Sequence, residues 1–296
     1  MHSALRDARR AIRCRRLSGA SPVAAFAGAA HRVIRPRRTI LFAPQAPMPM
    51  YIVYKLCAVL GYRMETDPRR PYDLGFRFCD KTFNDSILPV APGTRVINAA
   101  ATDVSKAWAQ ECWGAAAGYP LRIDPTRHVG PAVCKANANA AHDGRIVQCP
   151  ITEVEPSKVY QRLIDNTYGC APGTVMEYRI AIHGDRIPVV YLKYRPVAVR
   201  FNPLTNTRIE LHDPMVVFTD KERAALVRCA KAMGLDFCDM DVLRDVRDGR
   251  IYAVDVNCCS FGPPVKLERA RGRALRLLAD SFQSLVEDAD VERRLY

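Results

Sequence analysis

The sequence predicts a mixed α/β protein assembled from α+β lobes, and three stretches carry that expectation. Residues 39–78 alternate strand, helix and strand; residues 131–196 read almost wholly as strands and loops; residues 236–264 form two alternating strands around an Asp-Gly turn. The expected order is a basic leader over 1–38, an N-terminal α/β unit over 39–100, a central antiparallel lobe over 101–192, and a C-terminal metal-binding lobe over 193–296 that ends in a helix.

Arg35-Pro-Arg-Arg38 gives way abruptly to Thr39-Ile-Leu-Phe-Ala43, which reads as the first strand. Helical apolar spacing runs from Pro47 to Gly61, where glycine can adopt the left-handed cap. Leu74–Phe78 and Thr94–Asn98 read as strands. A helix over 102–118 carries the expected core stripe Val104, Trp108, Cys112 and Ala115-Ala116, with Lys106 in its first turn and off that stripe. A cation there opposes the helix dipole unless an anion is nearby. Strands follow at Ala132–Lys135, Gly144–Gln148, Lys158–Ile164, Val175–Ile182 and Arg186–Leu192, the last two joined through His183-Gly-Asp185. Thr219-Asp-Lys-Glu222 is a capping box that opens a helix stopping at Gly234. From about Pro264 an Arg- and Leu-rich amphipathic helix leads to the C-terminus.

The hairpin is the most informative segment. With the loop Arg247-Asp248-Gly249 and glycine in the left-handed position, Val246 pairs with Arg250, Val242 with Val254, Met240 with Val256, Asp241 with Asp255 and Asp239 with Asn257. One face is then oily and the other acidic. Opposed carboxylates repel, so such a face needs a cation; oxygen-only ligands point to magnesium, with manganese as an alternative ion. The plainer alternative is a solvated acidic face, against which stands the scarcity of Asp within strands.

Composition bounds the rest. With 49% apolar residues the chain is globular, and no run of eighteen apolar residues is present to span a membrane. Its eleven cysteines lack zinc-type spacing and fit reduced thiols in a cytoplasmic setting. The net charge is +13, but residues 1–38 alone hold ten Arg and one Asp, so the body is only mildly basic. That leader reads as a transit-type peptide, a nucleic-acid arm or an inert extension, and it is the one feature that speaks for nucleic acid. Oligomeric state is not legible.

Lys106 at a helix start, Lys135 at a strand end, Glu177 on a later strand and Asp241, Asp255 and Asn257 on a hairpin occur in the order that resembles the ATP-grasp superfamily, including D-alanine:D-alanine ligases and related carboxylate-amine ligases. The resemblance covers about residues 39–265. It implies an ATP-grasp fold in which Lys106 and Lys135 neutralise nucleotide phosphates, Gln161 and the backbone of Arg162 and Leu163 meet the adenine edge, and Glu177 accepts the ribose hydroxyls. It further implies that Asp241, Asp255 and Asn257 hold magnesium and that Lys193, Arg195 and Arg200 stabilise charge on the γ-phosphate or an acyl-phosphate. Two departures stand out. Asp255 is one methylene shorter than the family's usual Glu, and the loop after Lys135, Ala-Asn-Ala-Asn-Ala-Ala-His-Asp-Gly, lacks the usual Gly- and Ser-rich lid, which leaves His142 and the two Asn to cover phosphates.

The implied activity is ATP- and magnesium-dependent ligation, in which a small-molecule or peptide carboxylate becomes an acyl-phosphate that an amine captures. A small-molecule kinase on the same fold, or a non-catalytic nucleotide-binding regulator, are the alternatives. No nucleophile elbow or local Cys-His signature suggests covalent catalysis.

Overall fold

The computed structural model describes residues 37–293, which divide into two compact units. Of the described residues, the first takes in those up to Asp80, then Ser86–Ala99 and those from Cys259 to Arg293; the second takes in Lys81–Asp85 and Ala100–Cys258. Expectations for the basic leader fall on residues 1–38, almost all outside the described residues.

In the first unit, strands β1 (Thr39–Pro44), β2 (Arg63–Glu65), β3 (Leu74–Phe78) and β4 (Val96–Ile97) form a parallel sheet in the order β2-β1-β3-β4. The near-continuous apolar runs of β1 and β3 suit parallel strands buried on both faces. Helix α1 (Ile52–Leu60) ends at Gly61 with φ 70°, the predicted cap. The C-terminal segment belongs with this sheet because its long helix has an apolar stripe to bury: Leu278, Phe282 and Leu285 are buried, and Phe282 lies 6.3 Å from the ring of Tyr62.

The second unit holds two antiparallel sheets. The predicted strands of residues 131–196 do not make one sheet. Instead β5 (Gly130–Ala136), β6 (Arg145–Cys149) and β7 (Lys158–Arg162) form a three-stranded sheet in the order β6-β5-β7. Strands β8 (Thr174–His183) and β9 (Val190–Pro196) join β10 (Arg208–His212), β11 (Phe237–Arg244) and β12 (Ile251–Asn257) in the order β10-β9-β8-β11-β12. Strand β9 begins at Val190, four residues later than expected, because the turn after His183 runs on through Arg186, whose backbone exchanges hydrogen bonds with His183.

Helices α2 (Lys106–Ala117), the short α3 (Pro214–Val217) and α4 (Asp220–Ala232) complete this unit. The capping box at Thr219 and Glu222 is formed as predicted. In α2 the phase differs from expectation: Trp113 is fully buried and Trp108 is 41% exposed. Ser105 is the cap, its Oγ accepting from Trp108 N, so the helix starts at Lys106; Val104 and Cys112 are buried as expected, joined by Lys106, Ala109, Gln110 and Trp113. The core lies between the helices and one face of the five-stranded sheet, with Tyr178, Ile180, Ile182, Met240 and Val242 among its members.

Candidate functional site

Alternation decides which side chains meet on the opposite face. On β8 the even-numbered residues 178–182 enter the core, so Glu177 and Arg179 face the other way; on β9 the same logic turns out Tyr191, Lys193 and Arg195, and on β11 Asp239 and Asp241. The register then places Tyr191, Arg179, Asp241 and Asp255 in one row across β9, β8, β11 and β12. Asp239 lies opposite Asn257 in the next row, as predicted.

Towards the turn the predicted register fails. A bulge follows Asp241, so Val242 pairs with Ala253 rather than Val254, and Asp245 N bonds to Arg250 O, leaving residues 246–249 as the loop. Gly249 is left-handed as expected, with φ 72°. The bulged residue is Val254, whose carbonyl accepts from Lys135 Nζ at 2.7 Å. Asp245, fully buried, fixes the longer loop through Arg247 N and the Arg247 guanidinium.

The cation that the acidic face requires is supplied by the chain itself. Arg179 Nε donates to Asp239 Oδ2 at 2.9 Å, and Arg179 Nη1 lies 3.2 and 3.3 Å from the two Asp241 oxygens. Lys193 Nζ reaches Asp241 Oδ1 at 3.4 Å and Glu177 Oε1 at 3.1 Å, while Arg195 Nη2 donates to Glu177 Oε2. Burial alone would raise the Asp241 carboxyl, yet Arg179, Lys193 and Arg195 hold it far below the usual carboxylate range. Burial likewise works against the Arg179 charge, and Asp241 and Asp239 outweigh it.

Among the described residues no group of three His, Cys, Asp or Glu side chains is arranged to hold a metal. The predicted set of Asp241, Asp255 and Asn257 has two carboxylates and an amide, which escapes such a grouping but has the hard-oxygen chemistry of a magnesium site. One observation favours the fit: Asp255 Oδ1 is buried and accepts no hydrogen bond, its nearest cation being Lys106 Nζ at 3.5 Å.

Both predicted phosphate lysines converge on β12. Lys106, buried at the start of α2, donates to Ala138 O at 2.8 Å and Asn139 Oδ1 at 3.2 Å in addition to its ion pair with Asp255. The anion that its place at the helix start calls for is therefore present. Burial lowers Lys135 to about 8, with Asp255 acting in the opposite direction. The asparagines of the following loop face the protein. Asn137 Oδ1 accepts from Ala107 N at 2.8 Å, and Asn139 Nδ2 donates to Val104 O and Val256 O at 2.9 and 3.1 Å. His142 is exposed in that loop with φ 50°.

No family model matches the chain, and no curated protein does either. Solved structures do. The chain is similar to the ATP-grasp ligase PsnB complexed with minimal precursor, at 19% identity over 65% of this chain and with a TM-score of 0.44; it spans only 65% of the PsnB chain. It is also similar to a RimK domain protein ATP-grasp from Sphaerobacter thermophilus, at 15% identity over 84% of this chain and 99% of that one, TM-score 0.47. D-alanine–D-alanine ligase from Bacillus anthracis gives 12% identity over 86% and 97%, TM-score 0.48. Two of these three carry ATP-grasp in their names. All three TM-scores lie below 0.5, so the chemistry of the site is taken from its own side chains.

Of the residues that the ATP-grasp resemblance assigns, Lys106, Lys135, Glu177, Lys193, Arg195, Asp241 and Asp255 come together, and Asn257 lies in the next row opposite Asp239; Gln161, Arg162 and Leu163 lie on and just after β7, and His142 and Arg200 do not join the cluster. Gln161 is buried in β7 opposite Val133. Arg162 N donates to Leu121 O, its guanidinium lying 3.7 Å from Asp248 and over the Tyr252 ring. Leu163 O accepts from Arg247 at 3.0 Å. Arg200 does not reach the polar face: it donates to Ile164 O at 2.8 Å and to Asn166 Oδ1, and burial lowers its pKa. Arg179 is the residue that sequence reasoning missed, whereas Asn137 and Asn139, expected to cover phosphates, bond to Ala107 N and to the Val104 and Val256 carbonyls. Arg179 was within reach, since it stands two residues from Glu177 on an alternating strand and must share its face.

Proposed function

We propose that this chain is an ATP-dependent ligase that activates a carboxylate for capture by an amine. The observation that carries this reading is the convergence of two lysines on β12, Lys106 on Asp255 and Lys135 on the neighbouring Val254 carbonyl, beside a face bearing Glu177, Lys193, Arg195 and Asp241. Lysines from a helix start and from a strand of the neighbouring sheet offer a triphosphate the charge it needs. Glu177 supplies acceptors for ribose hydroxyls, and Gln161 is the candidate for the adenine edge, since Arg162 N and Leu163 O, its expected partners there, are bonded to Leu121 O and to Arg247. Lys193 and Arg195 are buried cations suited to charge that develops during transfer, and Arg195 Nε has no acceptor of its own. Arg200 serves this reading only through Asn166 and Ile164.

Asp241, Asp255 and Asn257 would hold magnesium, which when bound neutralises phosphate oxygens. In the reaction, a carboxylate oxygen attacks the γ-phosphorus, the bond to the leaving ADP oxygen breaks, and an acyl-phosphate forms. An amine then attacks the acyl carbon and inorganic phosphate departs. The substrate class is a small-molecule or peptide carboxylate.

Hydroxylamine distinguishes this chemistry. ADP release that depends on a carboxylate pool, with hydroxamate formed, is the expected result; phosphorylated product without hydroxamate would sink the ligase reading in favour of a kinase. Asp255→Asn should abolish turnover with circular dichroism unchanged.

A further inference from the structure

The polar face sets four carboxylates, Asp239, Asp241, Asp255 and Glu177, among five cations, Arg179, Lys193, Arg195, Lys106 and Lys135. Before anything binds, cations are in excess. A bare divalent ion arriving at Asp241 meets this positive surplus and must also displace the Arg179 Nη1 and Lys193 Nζ contacts. Removing one partner from a buried ion pair is strongly unfavourable, because the other charge stays desolvated. A nucleotide triphosphate changes both terms: its charge offsets the surplus, and its phosphate oxygens accept from the nitrogens that Asp241 gives up.

The geometry favours such an exchange over a collapse of the site. Arg179 is held at two points of unequal quality, 2.9 Å from Nε to Asp239 and 3.2–3.3 Å from Nη1 to Asp241. Its Asp239 contact anchors the guanidinium while the Asp241 contact is the longer and more easily surrendered. On the receiving side, Asp255 Oδ1 is already a buried oxygen with no hydrogen-bond donor, and Arg195 Nε a buried donor with no acceptor. Beyond its ion pair with Lys106 the first can take a further cation, and beyond the Arg195 pair with Glu177 the second can take an anion.

We propose that Arg179, anchored by Asp239, is a resident counterion that keeps divalent ions off Asp241 until nucleotide phosphates arrive, so that metal binding is conditional on nucleotide. The proposal rests on the ATP reading above. It gives Asp239 a positioning role outside the metal set.

The test titrates Mn2+ into the full-length protein and follows free Mn2+ by electron paramagnetic resonance, with the protein alone, with adenosine, and with a non-hydrolysable ATP analogue corrected for its own Mn2+ binding. Wild type alone or with adenosine should bind Mn2+ at least about tenfold more weakly than Arg179→Met does alone. Arg179→Lys, which keeps a cation, should remain weak, and the analogue should restore uptake in wild type. Should Arg179→Met lose its circular dichroism signal, the wild-type arms decide alone: no uptake without phosphates and uptake with them upholds the proposal. Tight Mn2+ binding to nucleotide-free wild type, beside a clear melting shift from the analogue in EDTA, overturns this inference and leaves the ATP reading standing. An analogue that shifts nothing in any arm removes both.

Discussion

The two faces of the five-stranded sheet are made by the same strands and could hardly differ more. Along β8, Tyr178, Ile180 and Ile182 enter the core while Glu177 and Arg179, their immediate neighbours, stand among buried charges. Burial on the first face is driven by transfer of apolar surface out of water. On the second it is tolerated because Glu177, Arg179, Lys193, Arg195, Asp239 and Asp241 each have an opposite charge within ion-pair distance, and such pairs contribute little net stability. The difference teaches that stability and chemistry can be separated by a single step along a strand. Substitutions on one face should unfold the protein, and those on the other should change what it binds.

The largest effect should come from the apolar face. Ile180 is fully buried on a central strand, so Ile180→Ala removes side-chain volume that the sheet cannot close over, and the loss should be about 2–5 kcal/mol in urea unfolding. Nucleotide affinity of the folded fraction should be unchanged. A variant that kept its stability but lost nucleotide binding would break the division between the faces.

Lys135→Met is the matching change on the polar side. It should weaken ATP binding by about 1.5–3 kcal/mol, the scale of a charge-assisted hydrogen bond, and leave Tm close to wild type because the side chain's stem can still pack. Unaltered ATP affinity by calorimetry would remove Lys135 from the nucleotide site.

The same lysine gives a pH signature of opposite signs. Burial lowers Lys135 from 10.5 to about 8 in the folded protein. Below pH 8 it is charged in both states and the folded state bears the cost of burying that charge. Between about 8 and 10.5 the unfolded chain binds more protons, so this group's contribution to stability improves as pH rises. ATP affinity should move the other way, declining above pH 8 as the ammonium is lost. Lys135→Arg, which cannot deprotonate in this range, should flatten the affinity profile; a decline that persists in Lys135→Arg would assign it to another group.

How much of this was legible depends on whether neighbours in sequence or in space decide. The pairing of Asp241 with Asp255 and of Asp239 with Asn257 could be read because a period of two leaves no other way to keep Met240 and Val256 in the core. The bulge at Val254 could not, since its carbonyl is held by Lys135, 119 residues away. Arg179 could be placed on the face of Glu177, but not beside Asp241, because nothing local says that β8 runs between β9 and β11. The misjudged phase of α2 has a smaller cause. Trp108 and Trp113 stand about 140° apart around a helix, so taking one or the other as the core residue depends on the start, which the Ser105 cap sets. Asn139 could be singled out as a polar residue of the loop after Lys135, but its structural role shows only when its four partners, Thr82, Val104, Val256 and Lys106, are seen around it.

The smallest effect sharpens the comparison most cleanly, because it touches neither the charges nor the volume of the core. Thr219 caps α4, accepting from Glu222 N while the Glu222 carboxylate accepts from Thr219 N. Helix α4 contributes Leu226, Cys229 and Ala230 to the apolar side of the sheet. Thr219→Ala leaves an amide at the helix start without its acceptor and should cost about 1 kcal/mol. If the faces are independent, that loss should appear in Tm and in the urea midpoint, while ATP affinity, its pH profile and the Mn2+ response stay at wild-type values. Glu222 has a second tie, to Arg244 on β11 at 2.6 Å, three residues along the strand from Asp241. A Thr219→Ala protein with altered ATP or Mn2+ binding would therefore show that Glu222 and Arg244 transmit strain along β11 to the acidic row, and the separation of the faces would fail at that point.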